Sequence, residues 1–156
     1  MKEIGQHIEN TKKTLVPGAF FVLAMIIALA VPGCASSNNS EVKVVMKAAR
    51  EFLDAEVRRD YPAVYASFAS SSAYVRSHSY EEYLAQAQSS PDSIVEYRIV
   101  KVTYIQDNED RKKYPAVEKF AQVEVEVTFM HAETQHRSEI NIGFIFLKER
   151  GRWYKS

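Results

Sequence analysis

The stretch Ala121-Gln122-Val123-Glu124-Val125-Glu126-Val127-Thr128-Phe129 decides the fold. Apolar and polar residues alternate strictly along it, so an extended chain would carry one apolar and one polar side. Ile140, Ile142, Phe144 and Phe146 repeat the pattern after a turn at residues 132–135, which predicts an antiparallel neighbour with one buried face. Upstream, residues 94–106 are rich in β-branched and aromatic types. There Val95, Tyr97 and Ile99 alternate, followed by Val100, Val102 and Tyr104 on the opposite phase, which predicts a bulge near Ile99. The charged run 107–113 reads as a turn, Glu149-Arg150-Gly151 as a tight turn, and residues 152–156 as a short last strand.

Before Ile94 the period is that of a helix. Val42, Val45, Met46, Ala49, Phe52, Leu53 and Val57 recur at steps of three and four, with Ser40 placed to cap the helix and Arg58-Arg59 to complement its dipole. Asp60 can cap a second, short helix through Phe68, with Pro62 tolerated in its first turn, and Ser70-Ser71-Ser72 closes it. Ser79 and Glu82 have capping-box spacing and start a third helix to about Gln88. Helices first and an antiparallel meander afterwards is the order of an α+β fold, with helices on one face of a curved sheet.

Composition narrows the classes. The chain has 156 residues, room for one domain, and 20 basic residues balance 20 acidic ones. No block of like charge suggests a nucleic-acid-binding surface, so no nucleic-acid partner is expected. The single cysteine excludes an intramolecular disulfide and multi-cysteine metal sites, and no cofactor is expected.

The first 40 residues have the composition of a processing signal. Lys2, Lys12 and Lys13 precede an apolar run which, after Pro17-Gly18, leaves 13 residues from Ala19 to Val31. A spanning helix needs roughly 20 apolar residues, whereas about 7 to 15 suit a signal-peptide core. Val31-Pro32-Gly33-Cys34 follows, and it resembles the lipobox of bacterial lipoproteins, although Pro32 departs from the small residue usual at that place. The resemblance implies a lipoprotein signal peptide over 1–33, acylation of Cys34 and its freed amine, and a flexible tether over 34–40. It implies a membrane partner through that anchor. Ala35 and Ser36, in place of the aspartate that retains such proteins at the inner membrane, imply the outer membrane facing the periplasm. The remaining domain, 41–156, is close to neutral.

Within that domain, the helix order, Asp60-Tyr61-Pro62-Ala63-Val64-Tyr65 and the ending Lys148-Glu149-Arg150-Gly151-Arg152-Trp153 resemble the nuclear transport factor 2-like cone, and in particular envelope lipoproteins of that superfamily. The resemblance implies a cone that hosts enzymes, ligand binders and assembly modules alike. Enzymes of the superfamily, such as ketosteroid isomerase, keep an aspartate base and an oxyanion-stabilising tyrosine and acid inside the cone. The strand faces expected to point inward here carry no Asp or His, so no catalytic residue is carried over.

Other candidates have plainer readings. Glu124 and Glu126 stand at paired-acid spacing on a strand, but on its polar face, where a solvated surface explains them. His131 and His136 flank a turn with Glu133 nearby, short of a metal site, and no metal is expected. His78 is a lone loop histidine. Ser70-Ser71-Ser72 has neither a glycine elbow nor a base partner. Eight tyrosines, Tyr61, Tyr65, Tyr74, Tyr80, Tyr83, Tyr97, Tyr104 and Tyr114, cluster over residues 61–114, as a core edge or a pocket rim would require. Any pocket is expected among the apolar phases, with Val125, Val127, Phe129, Phe144 and Phe146 facing Phe52 and Phe68. The resulting expectation is a non-enzymatic envelope lipoprotein that binds a small apolar ligand or a protein partner. The alternatives are an isomerase, dehydratase or cyclase, or an assembly module, possibly a homodimer through the open sheet face. An enclosed cavity holding a buried ionisable group would favour the enzyme, and a filled cone the assembly module.

Overall fold

The computed structural model describes residues 35–156, with side chains from residue 39 onward. The expected signal peptide and Cys34 lie outside the described residues. Four helices, α1 (Ala35–Arg58), α2 (Tyr61–Ala66), α3 (Ala73–Ser77) and α4 (Tyr80–Ser89), precede four strands. The strands β1 (Asp92–Asp107), β2 (Lys119–His131), β3 (Arg137–Glu149) and β4 (Arg152–Lys155) form one antiparallel sheet in sequence order. This is the α+β class that the change of period predicts.

The β2–β3 register follows the alternation. Val123 pairs with Phe144, Val125 with Ile142 and Val127 with Ile140, so the apolar phases of both strands share one face. β1 differs from its sequence reading. Its register shifts between Ile94 and Glu96, Ile99 and Lys101, and Val102 and Tyr104, three irregularities where one was expected. As a result Ile94, Tyr97, Ile99, Val102 and Ile105 pack on the core, rather than Val95 and Tyr104. Each extra residue flips the phase and bends the strand, which curves the sheet around α1.

α1 begins at Ala35 rather than at the Ser40 cap, so most of the stretch 34–40 expected as a tether is helix. No Pro or Gly lies between Ala35 and Glu41, and a helix seeded by packing at Val45, Ala49 and Leu53 extends backward without obstruction. It ends in a Schellman turn. Asp60 N donates to Ala55 O and Arg59 N to Glu56 O, with Arg59 left-handed at φ 55° where glycine is usual. Ser72, expected only as loop, is buried and caps α3 by accepting from Val75 N at 3.2 Å. The Ser79–Glu82 capping box at α4 forms as its spacing requires.

The main core joins Val45, Ala49, Phe52 and Leu53 of α1 and Val64 of α2 to Val123, Val125, Val127, Phe146 and Trp153 of the sheet. A smaller cluster of Ala69, Val117 and Leu147 lies on the opposite sheet face, since Leu147 alternates with Phe146. Glu41 anchors the early part of α1 to the sheet, accepting from Lys119 Nζ and Lys148 Nζ, each at 2.8 Å.

Glu149 fastens the segment before α3. It is 6% exposed, and its carboxylate accepts from the hydroxyls of Ser70 and Ser71 and from Ser71 N. Burial alone would push this carboxyl up, but the hydrogen bonds from Ser71 and Ser70 outweigh it and hold it below the usual 4.5. A carboxyl lowered on folding stabilises the protein above its unfolded pKa, and that contribution disappears as pH falls through the folded pKa. Wild-type protein should therefore lose thermal stability on acidification below about pH 4.5. Glu149→Gln should start about 1–3 kcal/mol less stable at pH 7 and show a flatter acid decline. Melting temperatures across a pH series check both.

Candidate functional site

α1 carries an ionisable residue on its buried side. Glu56 lies four residues after Phe52 and three after Leu53, in phase with the core stripe, while Val57, expected in that stripe, is 37% exposed. At 3.6 residues per turn Glu56 falls in line with Val45, Ala49 and Phe52, whereas Val57 lies about 100° further round the helix, so the last turn of α1 presents Glu56 rather than Val57 to the interior. The Schellman turn at Arg59 then folds α2 back beside it.

Glu56, Arg59, Tyr61, Tyr83, Ala87, Ile94 and Phe129 line a cleft of about 270 Å³, with Ser90, Asp92 and Ser93 completing its border. α1 contributes the carboxyl, α2 and α4 the two tyrosines, and β1 and β2 the apolar floor. The Tyr61 and Tyr83 rings meet edge to face with centroids 6.4 Å apart. Tyr83 is 7% exposed, and its hydroxyl is buried without any hydrogen-bond partner. A buried hydroxyl left unpaired costs about 1–3 kcal/mol.

Electrostatics set this corner apart. Burial pushes the Glu56 carboxyl up, and the Lys155 ammonium only partly offsets that. Burial also pushes Lys155 down, with Glu56 opposing. Burial, and then the neighbouring Glu56 charge, push the Tyr83 hydroxyl up, so it stays protonated as a donor. Lys155 Nζ lies 5.9 Å from the Phe68 ring centre and 5.7 Å from that of Phe144. A desolvated carboxyl beside an unpaired phenol can receive a hydrogen-bonding ligand or exchange a proton with one.

The seven residues expected to border a pocket all come together in the main cluster. Val125, Val127, Phe146 and Phe52 are buried, and Phe52 packs edge-on against Phe68 at 6.2 Å and Phe144 at 5.7 Å. Of the seven, Phe129 lines the cleft. Phe146 borders a separate cavity of about 80 Å³ beside Trp153 and Lys155. The centre of the domain is thus packed, and the cleft opens beside it.

The tyrosines divide. Tyr61, Tyr65, Tyr74, Tyr80 and Tyr83 join Phe52 and Phe68 in one aromatic cluster, while Tyr114 packs on Phe120. Tyr97 donates its hydroxyl to Asp54 at 2.5 Å, and burial with that bond raises it to about 12. His78 stacks on Tyr74 with centroids 4.4 Å apart. Glu124 pairs with Lys101 at 3.3 Å and accepts from Asn141 at 2.8 Å, and Glu126 pairs with Arg98, so both are engaged across the outer face. His131 Nδ1 lies 3.2 Å from the Thr134 hydroxyl within its own turn. Among the described residues no group of three His, Cys, Asp or Glu is placed to hold a metal ion, and no helix is long and apolar enough to cross a membrane.

No family model matches the chain, and no curated protein matches it. A solved structure of a ketosteroid isomerase-like protein from Erwinia carotovora atroseptica SCRI1043 is similar at 21% identity and a TM-score of 0.49, over 75% of this chain and 92% of that one.

Proposed function

We propose that the chain is a lipid-anchored envelope protein, held at Cys34, whose domain binds a small, mostly apolar molecule in the Glu56–Tyr83 cleft. The observation that carries the reading is the Tyr83 hydroxyl, buried and unpaired in the cleft wall. A ligand that turns one polar atom toward Tyr83 and Glu56 recovers that missing hydrogen bond, while Ala87, Ile94 and Phe129 take its apolar body. Anchorage rests on the lipobox resemblance, which implies the periplasmic side of the outer membrane.

Native mass spectrometry of the full chain released from its host's membranes should show a small-molecule adduct on a single chain. Tyr83→Phe should lose the adduct and melt no lower than wild type, because the substitution removes an unpaired hydroxyl. A wild-type chain without adduct, or a Tyr83→Phe chain that keeps it fully, overturns the reading. A protein or second copy travelling with the chain would identify the competing occupant.

Glu56 supports a second reading, an enzyme of isomerase, dehydratase or cyclase type. A carboxyl pushed up by burial is better matched to proton transfer near neutral pH than an exposed one. Here Glu56→Gln should retain the adduct but stop its conversion, and equal conversion by both proteins excludes the reading.

A further inference from the structure

We propose a second ligand site, on the sheet face opposite α1, built for a fatty-acid-type amphiphile: an apolar chain ending in a carboxylate. A cavity of about 430 Å³ lies there between the α3 segment, the β1–β2 connection and strands β2 and β3. That volume is within the range of small-molecule pockets, roughly 300–1,000 Å³.

Its floor is apolar. Phe120, Ile145 and Leu147 project from the sheet face away from the main core, and Tyr114 packs edge-on against Phe120 at 5.4 Å. One wall is fixed by the buried Asn108, whose Nδ2 donates to the carbonyls of Tyr114 and Val117, both at 2.8 Å. The connection between β1 and β2 is therefore held in place over the sheet.

Its border is cationic. Arg76 from α3 and Lys113 from the connection both line the cavity. Among the described residues neither is in an ion pair, and Lys113 Nζ instead lies 5.1 Å over the Tyr114 ring. Glu149 takes the hydroxyls of Ser70 and Ser71, Asp110 caps Lys113 N at 3.1 Å, and Ser156 O accepts from Lys155. Two free cations above an apolar floor favour a ligand that has both an anionic head and an apolar chain. A compact polar anion would leave the floor wet, and a neutral apolar molecule would leave the cations without a role.

The probe is octanoate, added to full-length protein carrying labelled isoleucine methyl groups and followed by NMR. The Ile145 methyl resonance should shift saturably while that of Ile94, in the first cleft, stays in place. The double variant Arg76→Gln, Lys113→Gln changes only exposed side chains, and it should weaken octanoate at least tenfold while retaining the wild-type melting temperature. Octanol, with the same chain and no charge, should bind at least tenfold more weakly than octanoate. Absence of an Ile145 shift, an equal shift at Ile94, equal octanol binding, or unchanged affinity in the double variant each overturns the site.

Discussion

Truncating Phe146 to Ala should cost about 3–5 kcal/mol of folding stability, most of what a domain of this size has to lose. Phe146 is 1% exposed and among the largest fully buried side chains. It projects from the middle of the sheet, paired with Ala121 on one side and Lys155 on the other. Ala121 is too small to fill the space left behind, and Lys155 cannot close over it without burying its ammonium further. The cavity would therefore persist, and a retained cavity puts the cost at the upper end of the range. Phe144, two residues earlier, is half-buried and meets Phe52 edge-on, so Phe144→Ala should cost about half as much. Equilibrium urea unfolding measures both, with the midpoint falling and the slope unchanged. Equal losses at the two positions would mean that the main cluster is less completely packed at Phe146 than its burial indicates.

The sequence carried the fold where a pattern outlasts its interruptions. β2 and β3 alternate over many residues without a phase change, so their shared face and register follow from the period alone. β1 holds the same kind of residues but changes phase three times: the first two changes hide in apolar pairs, Ile94 beside Val95 and Ile99 beside Val100, and the third, at Thr103, leaves Tyr104 and Ile105 as rival apolar positions. Only pairing with β2 decides which of the two turns inward. α3 has five residues, too few for a helical period to register, and its cap at Ser72 looks like any serine in a loop.

The cleft was less legible for a related reason. The alternation of the strands draws attention to polar groups on the sheet faces, whereas the carboxyl comes from a helix. The available signal was Glu56 in phase with Phe52 and Leu53, but Val57 extends the same stripe with an apolar residue, and hydropathy favours Val57. Angular position about the helix axis, which puts Glu56 in line with Phe52 and Val57 about 100° away, decides in favour of Glu56. The missing partner of Tyr83 has no counterpart in sequence, because it depends on what four separate elements fail to bring near one hydroxyl.

Substituting Cys34 by Ser should abolish acylation and leave a precursor that keeps its first 33 residues. The expectation rests on lengths. The 13 apolar residues from Ala19 to Val31 are fewer than the roughly 20 a spanning helix needs, so on the lipoprotein reading proposed above attachment would come from acyl chains on Cys34 and its amine. One chain gives marginal binding and two or more give stable binding, so on that reading loss of the thiol would remove the whole anchor and not a fraction of it. The fold should be indifferent. Among the described residues the first fully buried side chain is Val45, and Glu41 near the start of α1 pairs with Lys119 and Lys148 of the sheet. A chain beginning at Ser36 should therefore fold and remain in the aqueous fraction. Because α1 starts at Ala35, the anchored cysteine would stand directly before a helix without a long spacer. Metabolic labelling with a palmitate analogue is the measurement: wild type should take up label and Cys34→Ser none. Equal labelling of the two, or none in wild type, would mean that Val31-Pro32-Gly33-Cys34 is not a lipidation site and that the apolar segment serves as an ordinary signal or anchor.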